Sequence, residues 1–203
     1  MSRNRNLWKK LTFALILGLV LIGQASGQIK FGPKTEPFLK TFVSGTYHMK
    51  ARTTSGGTTA EMDIFSKGDM VSVSSTQGDF SRMIIRDNKM YMIMESQKMI
   101  LVTPAQNASD TVGTVETEGL VYTSAGTASF AGKNLPYEEY STKDGSKVQY
   151  FIDGNKLAGM RNITPGENPE DVVILALDQN VPDSAFSVPT SGYQIQDMSK
   201  FGF

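Results

Sequence analysis

The chain has 203 residues, with 20 Lys+Arg against 20 Asp+Glu, one His, no Cys and 39% hydrophobic residues. That length suits one globular domain, and a balanced charge without long runs of one sign offers no electrostatic footprint for nucleic acid. The lack of cysteine excludes a disulfide framework, a thiolate nucleophile, a Cys-ligated zinc site and an iron–sulfur cluster.

The first residues have the layout of an export signal. Arg3, Arg5, Lys9 and Lys10 precede an apolar run over residues 11–23, and Gln24, Ala25, Ser26 and Gly27 then supply small side chains for cleavage. The run is too short for a comfortable membrane span, so an uncleaved anchor is the less favoured alternative. Cleavage after Gly27 removes four positive charges and no negative ones, leaving residues 28–203 as one acidic domain without a stable membrane span. The expected address is periplasmic or secreted.

A short helix is predicted over residues 37–42, where Phe38, Leu39 and Phe42 share a face. From residue 41 onward the pattern is alternation, the mark of half-buried strands. In residues 41–51, Val43, Tyr47 and Met49 point one way while Ser44, Thr46, His48 and Lys50 point the other. Residues 58–67 repeat this, with Met62 and Ile64 opposed to Glu61 and Asp63. Turn candidates follow about every ten residues, at Lys67-Gly68-Asp69, Gln77-Gly78-Asp79 and Arg86-Asp87-Asn88, with strands predicted over 70–76, 80–86, 89–95 and 99–103. Residues 104–119 are polar and aperiodic and read as a long surface loop. Strands resume over 137–142, 147–152 and 156–161, separated by Asp144-Gly145 and Asp153-Gly154. The apolar run over residues 172–177 reads as a strand covered on both faces or, less favoured, a buried helix. A last helix is predicted over residues 195–201.

So many strands with one apolar face leave too few helical residues to cover them. Either the sheet closes into a filled barrel or sandwich, or it curves around a partial plug and leaves an apolar pocket. The methionines bear on this choice. The chain has 11, and Met83, Met90, Met92, Met94 and Met99 crowd one short stretch. In a strand Met90, Met92 and Met94 share a face, forming a thioether stripe suited either to an adaptable ligand surface or to an ordinary core. A soft-metal role is disfavoured because there is no Cys and the one His, His48, falls on the polar side of its strand.

Catalysis finds little support. There is no Gly-x-Ser-x-Gly elbow, phosphate loop or His-Glu-x-x-His pair, and a triad would have to use His48. The carboxylates of Glu61 and Asp63, and Glu138 beside Tyr140, read as the solvent side of strands. No enzyme activity and no cofactor are expected.

The export signal, Lys67-Gly68-Asp69, the run from Ile85 through Arg86, Asp87, Asn88, Lys89, Met90, Tyr91 and Met92 to Ile93, the segment over residues 150–157 and that over residues 181–189 together resemble the lipoprotein-carrier (LolA/LolB-like) superfamily, in particular its Met-rich members. The resemblance covers most of residues 40–200. It implies a mainly β (α+β) fold, a strongly curved antiparallel sheet forming an open half-barrel with a few short helices. It also implies a hydrophobic interior that receives lipid or lipoprotein acyl chains in the periplasm. The carriers place an arginine inside this cavity; Arg82, Arg86 and Arg161 all fit outward positions, and none is assigned that role. The expected cavity lining is Val43, Tyr47, Met49, Met62, Ile64, Met83, Ile85, Met90, Met92 and Met94. The competing expectation is a structural module of the cell envelope with a packed β core, no ligand and an envelope protein partner.

Overall fold

The computed structural model describes residues 31–55, 57–78, 80–105, 120–142 and 145–198. The expected export signal lies outside the described residues, as does the expected loop apart from Pro104 and Ala105.

Among the described residues the helix α1, Glu36–Val43, comes first. Six strands follow: β1 Thr46–Ser55, β2 Thr58–Lys67, β3 Met70–Ser75, β4 Arg82–Arg86, β5 Lys89–Met94 and β6 Met99–Pro104. Six more complete the fold: β7 Val121–Phe130, β8 Lys133–Ser141, β9 Lys147–Asp153, β10 Lys156–Ile163, β11 Glu170–Asp178 and β12 Gln194–Asp197. All twelve form one sheet in the order β12-β6-β5-β4-β3-β2-β1-β11-β10-β9-β8-β7. The edge strands β12 and β7 do not pair with each other, so the sheet is open. Every pairing is antiparallel except β12 on β6.

Local chemistry explains the meander. Asp87 and Asn88 join β4 to β5 with φ of 52° and 55°, the two positive values of a type I′ turn whose twist suits a hairpin. Ala131 and Gly132, at 49° and 78°, do the same between β7 and β8. Helix α1 starts where Pro37 sits in its first turn, and it buries Leu39 and Phe42 on the sheet. It ends at Ser44, and Gly45 follows with φ of 70°.

Four expectations are corrected. Residues 41–43 continue the helix instead of opening a strand, because the spacing of Phe38, Leu39 and Phe42 governs them; Val43 therefore leaves the expected lining and stands 38% exposed. Residues 195–197 lie in β12 and not in a helix, since their backbone groups pair with the free edge of β6, and Ile195 stays exposed; residues 199–201 of that expected helix lie outside the described residues. Strand β7 was not expected: its residues are mostly small or polar and mostly exposed, so no clean alternation announces it. Glu138 and Tyr140 are buried at 1% and 0%, not on the solvent side.

One face of the sheet carries α1. There a single cluster joins Leu39 and Phe42 to Tyr47, Met49, Met62, Ile64, Val73, Met83 and Met90 and onward to Tyr140, Tyr150, Met160 and Val172. The opposite face carries two smaller clusters. Ile84, Ile93, Ile100 and Val102 lie under Val188 and Tyr193, while Phe130, Leu135 and Phe151 pack with Ala158 and Val173.

The ladder has one fork. Pairing of β10 with β11 runs from Asn162↔Glu170 to Gly159↔Val173 and stops there, although β10 begins at Lys156 and β11 continues to Asp178. Both strands carry an extra residue at this point. Ala158 is unmatched against β9, and Leu175 is unmatched against β1. Bulges bend their strands and raise the local twist, so these two turn β10 and β11 away from each other.

Candidate functional site

The helix-bearing face gathers eight of the ten expected lining residues. Tyr47, Met49, Met62, Ile64, Met83 and Met90 are buried in its cluster, and Ile85 and Met92 pack against it partly exposed. Met83 stands directly across from Met92, and Ile85 from Met90, so the thioether stripe spans two neighbouring strands. Met94 is buried but lies outside that cluster, and Val43 is turned to solvent.

Within this apolar layer Tyr47 is the odd member. Its ring meets Phe42 edge-on at 5.0 Å, and its hydroxyl is buried without a well-aligned hydrogen-bond partner, though the Ser66 side chain lies near. Burial pushes the Tyr47 and Tyr150 phenols well above their ordinary values, so both stay protonated donors.

Sequence reasoning missed the device that fastens α1 to the sheet. Glu138 of β8 points into the helix-bearing face and accepts from Lys34 N at 3.0 Å, Thr35 N at 2.9 Å and Thr35 Oγ1 at 2.6 Å. Tyr140 accepts from Gly32 N at 2.7 Å, and its hydroxyl also bonds that of Thr35. Thr35 is the N-cap residue of α1 but does not cap it with its own side chain. A carboxylate brought in from a distant strand supplies the acceptor and sits at the positive end of the helix dipole. Gly32 is required by close approach, since a Cβ there would lie 2.3 Å from Glu138 Oε2. A carboxylate beside a tyrosine two residues on was the one available signal, and the amphipathic reading of β8 assigned it to water.

On the opposite face His48 bonds Asp63 at 2.7 Å and Asp178 at 3.2 Å and stacks on Phe65 at 4.3 Å. Among the described residues no group of three His, Cys, Asp or Glu is placed to hold a metal ion. The three arginines considered for a cavity role face outward. Arg82 and Arg86 donate to the carbonyls of Ala185 and Phe186, and Arg161 lies over the rings of Phe130 and Phe151 at 5.9 and 5.3 Å.

The fork between β10 and β11 holds an open cavity of about 540 Å³. That volume lies within the span of ordinary small-ligand sites. Its walls are Leu157 and Ala158 on one side and Ile174 to Leu177 on the other, with Phe38 of α1 and Phe130 and Leu135 of the β7–β8 hairpin closing it. Lys133, Asp153, Lys156 and Asp178 stand around it. A second cavity of about 260 Å³ reaches Met62 among polar neighbours including Glu61, Asp63 and Ser74. None of the other expected lining residues borders either cavity.

No family model matches the chain, and no curated protein matches it. Solved structures do resemble it. A LolA superfamily protein from Nitrosomonas europaea aligns at 9% identity and a TM-score of 0.38, over 85% of this chain and 97% of that one. An uncharacterized conserved protein from Thermus thermophilus aligns at 5% identity and a TM-score of 0.51, over 76% of this chain and 91% of that one, and the likeness is one of fold.

Proposed function

We propose that this protein is an exported, non-enzymatic binding protein that holds an acyl chain of a lipid or lipoprotein against the helix-bearing face of a sheet curled into an open half-barrel. One observation carries the reading: the breadth of the apolar face compared with the helix that lies on it among the described residues. The cluster draws on nine neighbouring strands, from β5 across to β8. At about 4.8 Å per strand these would span ~38 Å if flat. Helix α1, eight residues long, measures about 12 Å. A flat sheet would leave Met90, four strands from the strand on which the helix rests, in water, yet it is buried, which supports a sheet curled around the helix.

A curled, Met-rich apolar face suits a hydrocarbon guest. Each methylene buried contributes about 0.8 kcal/mol, so affinity needs no strong polar contact, and flexible thioethers repack around chains of different length. The buried Tyr47 hydroxyl offers one donor, which an ester or amide carbonyl of the guest would satisfy.

The test is titration of the purified protein with a fluorescent sixteen-carbon acyl probe. Met92 is partly exposed, so Met92→Asp should fold, and it should weaken binding at least about tenfold by placing a charge in the apolar layer. Indifference of the wild type to several such probes would overturn the reading.

A second reading is an envelope interaction module with a filled core and no ligand. It is favoured by the complete burial of Met49, Ile64 and Met90, each at 0% exposure. In that case every acyl probe is ignored, and Met92→Asp changes stability only.

A further inference from the structure

We infer that the fork between β10 and β11 is a strand-acceptor site: it receives an extended polypeptide segment of about five residues, apolar on both faces and with an acidic residue at its outer end.

The argument begins with the backbone. A strand edge presents N–H and C=O groups that need partners, and interior strands obtain them from both neighbours. From residue 174 to residue 178, β11 pairs with β1 on one side, Leu175 excepted, and among the described residues with no strand on the side facing β10. Across the gap, Lys156 and Leu157 of β10 pair with β9 and, among the described residues, likewise have no strand partner on the side facing β11. The two edges face each other over the cavity of about 540 Å³. Hydrocarbon cannot satisfy such groups, whereas a peptide strand can bond to either edge.

The lining matches a strand on both sides of the sheet plane. Phe38, Leu157, Ile174 and Leu177 belong to the helix-bearing cluster, whereas Phe130, Leu135, Ala158 and Val173 belong to the cluster on the opposite face. All eight border the cavity. Successive side chains of an inserted strand point to opposite faces, so each would meet apolar surface; a continuous apolar run is the sequence that such a slot selects.

The fork is built into the fold and is not a frayed end. Below it, Arg161 holds Asp171 by two bonds of 2.7 and 2.8 Å across β10 and β11. At its vertex Gly159 brings the strands together: a Cβ there would lie 2.3 Å from the Val172 carbonyl oxygen and 2.5 Å from Phe130 Cζ. Charge at the mouth sets the end group of the guest. Lys133 is paired with Asp153 at 2.7 Å and Asp178 with His48 at 3.2 Å. Lys156 is exposed and makes no salt bridge among the described residues, so it is the cation at the mouth that an acidic residue of the guest would pair.

The test is hydrogen exchange of the full chain with the capped pentapeptide EVIVI. A second arm uses the same peptide N-methylated at alternate residues, and a third uses palmitate. Slower exchange at residues 174–178 with EVIVI, absent with the N-methylated peptide, is the expected result. Lys156→Glu should weaken EVIVI about fivefold and leave QVIVI unchanged, the size of one exposed charge contact. No protection by EVIVI at millimolar concentration, equal binding of the N-methylated peptide, or protection by palmitate in its place would overturn the inference. These readouts do not depend on acyl binding at the Met-rich face, so either idea can fail alone.

Discussion

Thr35 and Glu138 are 103 positions apart in the chain, yet the carboxylate of the second takes both the backbone N–H and the hydroxyl of the first, at 2.9 and 2.6 Å. The start of α1 is therefore fixed to β8 by buried polar bonds, while the rest of the helix rests on apolar contact through Leu39 and Phe42.

Removing that acceptor leaves buried donors unpaired and the helix uncapped. Glu138→Ala should lower unfolding stability by about 3 kcal/mol, and Glu138→Gln by less because the amide oxygen still accepts. Urea denaturation measures both. Equal losses in the two variants would show that the hydrogen bonds to Thr35 and Lys34 are not the source.

Gly159→Ala forces a methyl group against the Val172 carbonyl and the Phe130 ring, neither of which is the free end of a flexible chain. The expected cost is about 2 kcal/mol or more, in the range of overpacked cores. Calorimetry reads it, and an unchanged melting temperature would refute the tight vertex at the β10–β11 junction.

Stability should depend on pH through Glu139. Burial raises its carboxyl, but donors from Gln149 at 2.9 Å and Lys147 at 3.0 Å outweigh that effect and hold its pKa below the ordinary value. A folded-state value below the unfolded one stabilises the protein above about pH 4.3, and this contribution is lost as pH falls through the folded value. From about pH 6 down to pH 3 the melting temperature of the wild type should therefore drop further than that of Glu139→Gln. Parallel curves would contradict the assignment.

Methionine oxidation should follow burial. Met49, Met83 and Met90 are at most 1% exposed, whereas Met92 is partly open. Peroxide followed by peptide mapping should find Met92 sulfoxide before that of Met49, Met83 or Met90, and an acyl guest should slow its appearance. Simultaneous oxidation of all four would mean that the Met-rich layer opens freely.

Much of the fold is legible in the sequence wherever side-chain alternation is strong. Met62 and Ile64 against Glu61 and Asp63, or Asp87-Asn88 between two apolar stretches, encode strand and turn in a few neighbouring residues. Strand β7 carries no such contrast, because an edge strand of small residues needs its partner β8 to define it. The apolar layer is legible for the same reason as the strands: burial on one face imposes a period of two. The helix lock and the fork are not. Glu138 meets Thr35, and Leu157 and Ile174 come to border one cavity, only after the chain has returned on itself, and neither relation leaves a local period.

The most direct measurement for the acyl-binding account is native mass spectrometry of the protein purified from its own cells without detergent. The account predicts a species heavier than the polypeptide by the mass of a lipid, which organic solvent removes. A bare polypeptide mass, in a protein that also ignores added fatty-acyl ligands, would contradict it.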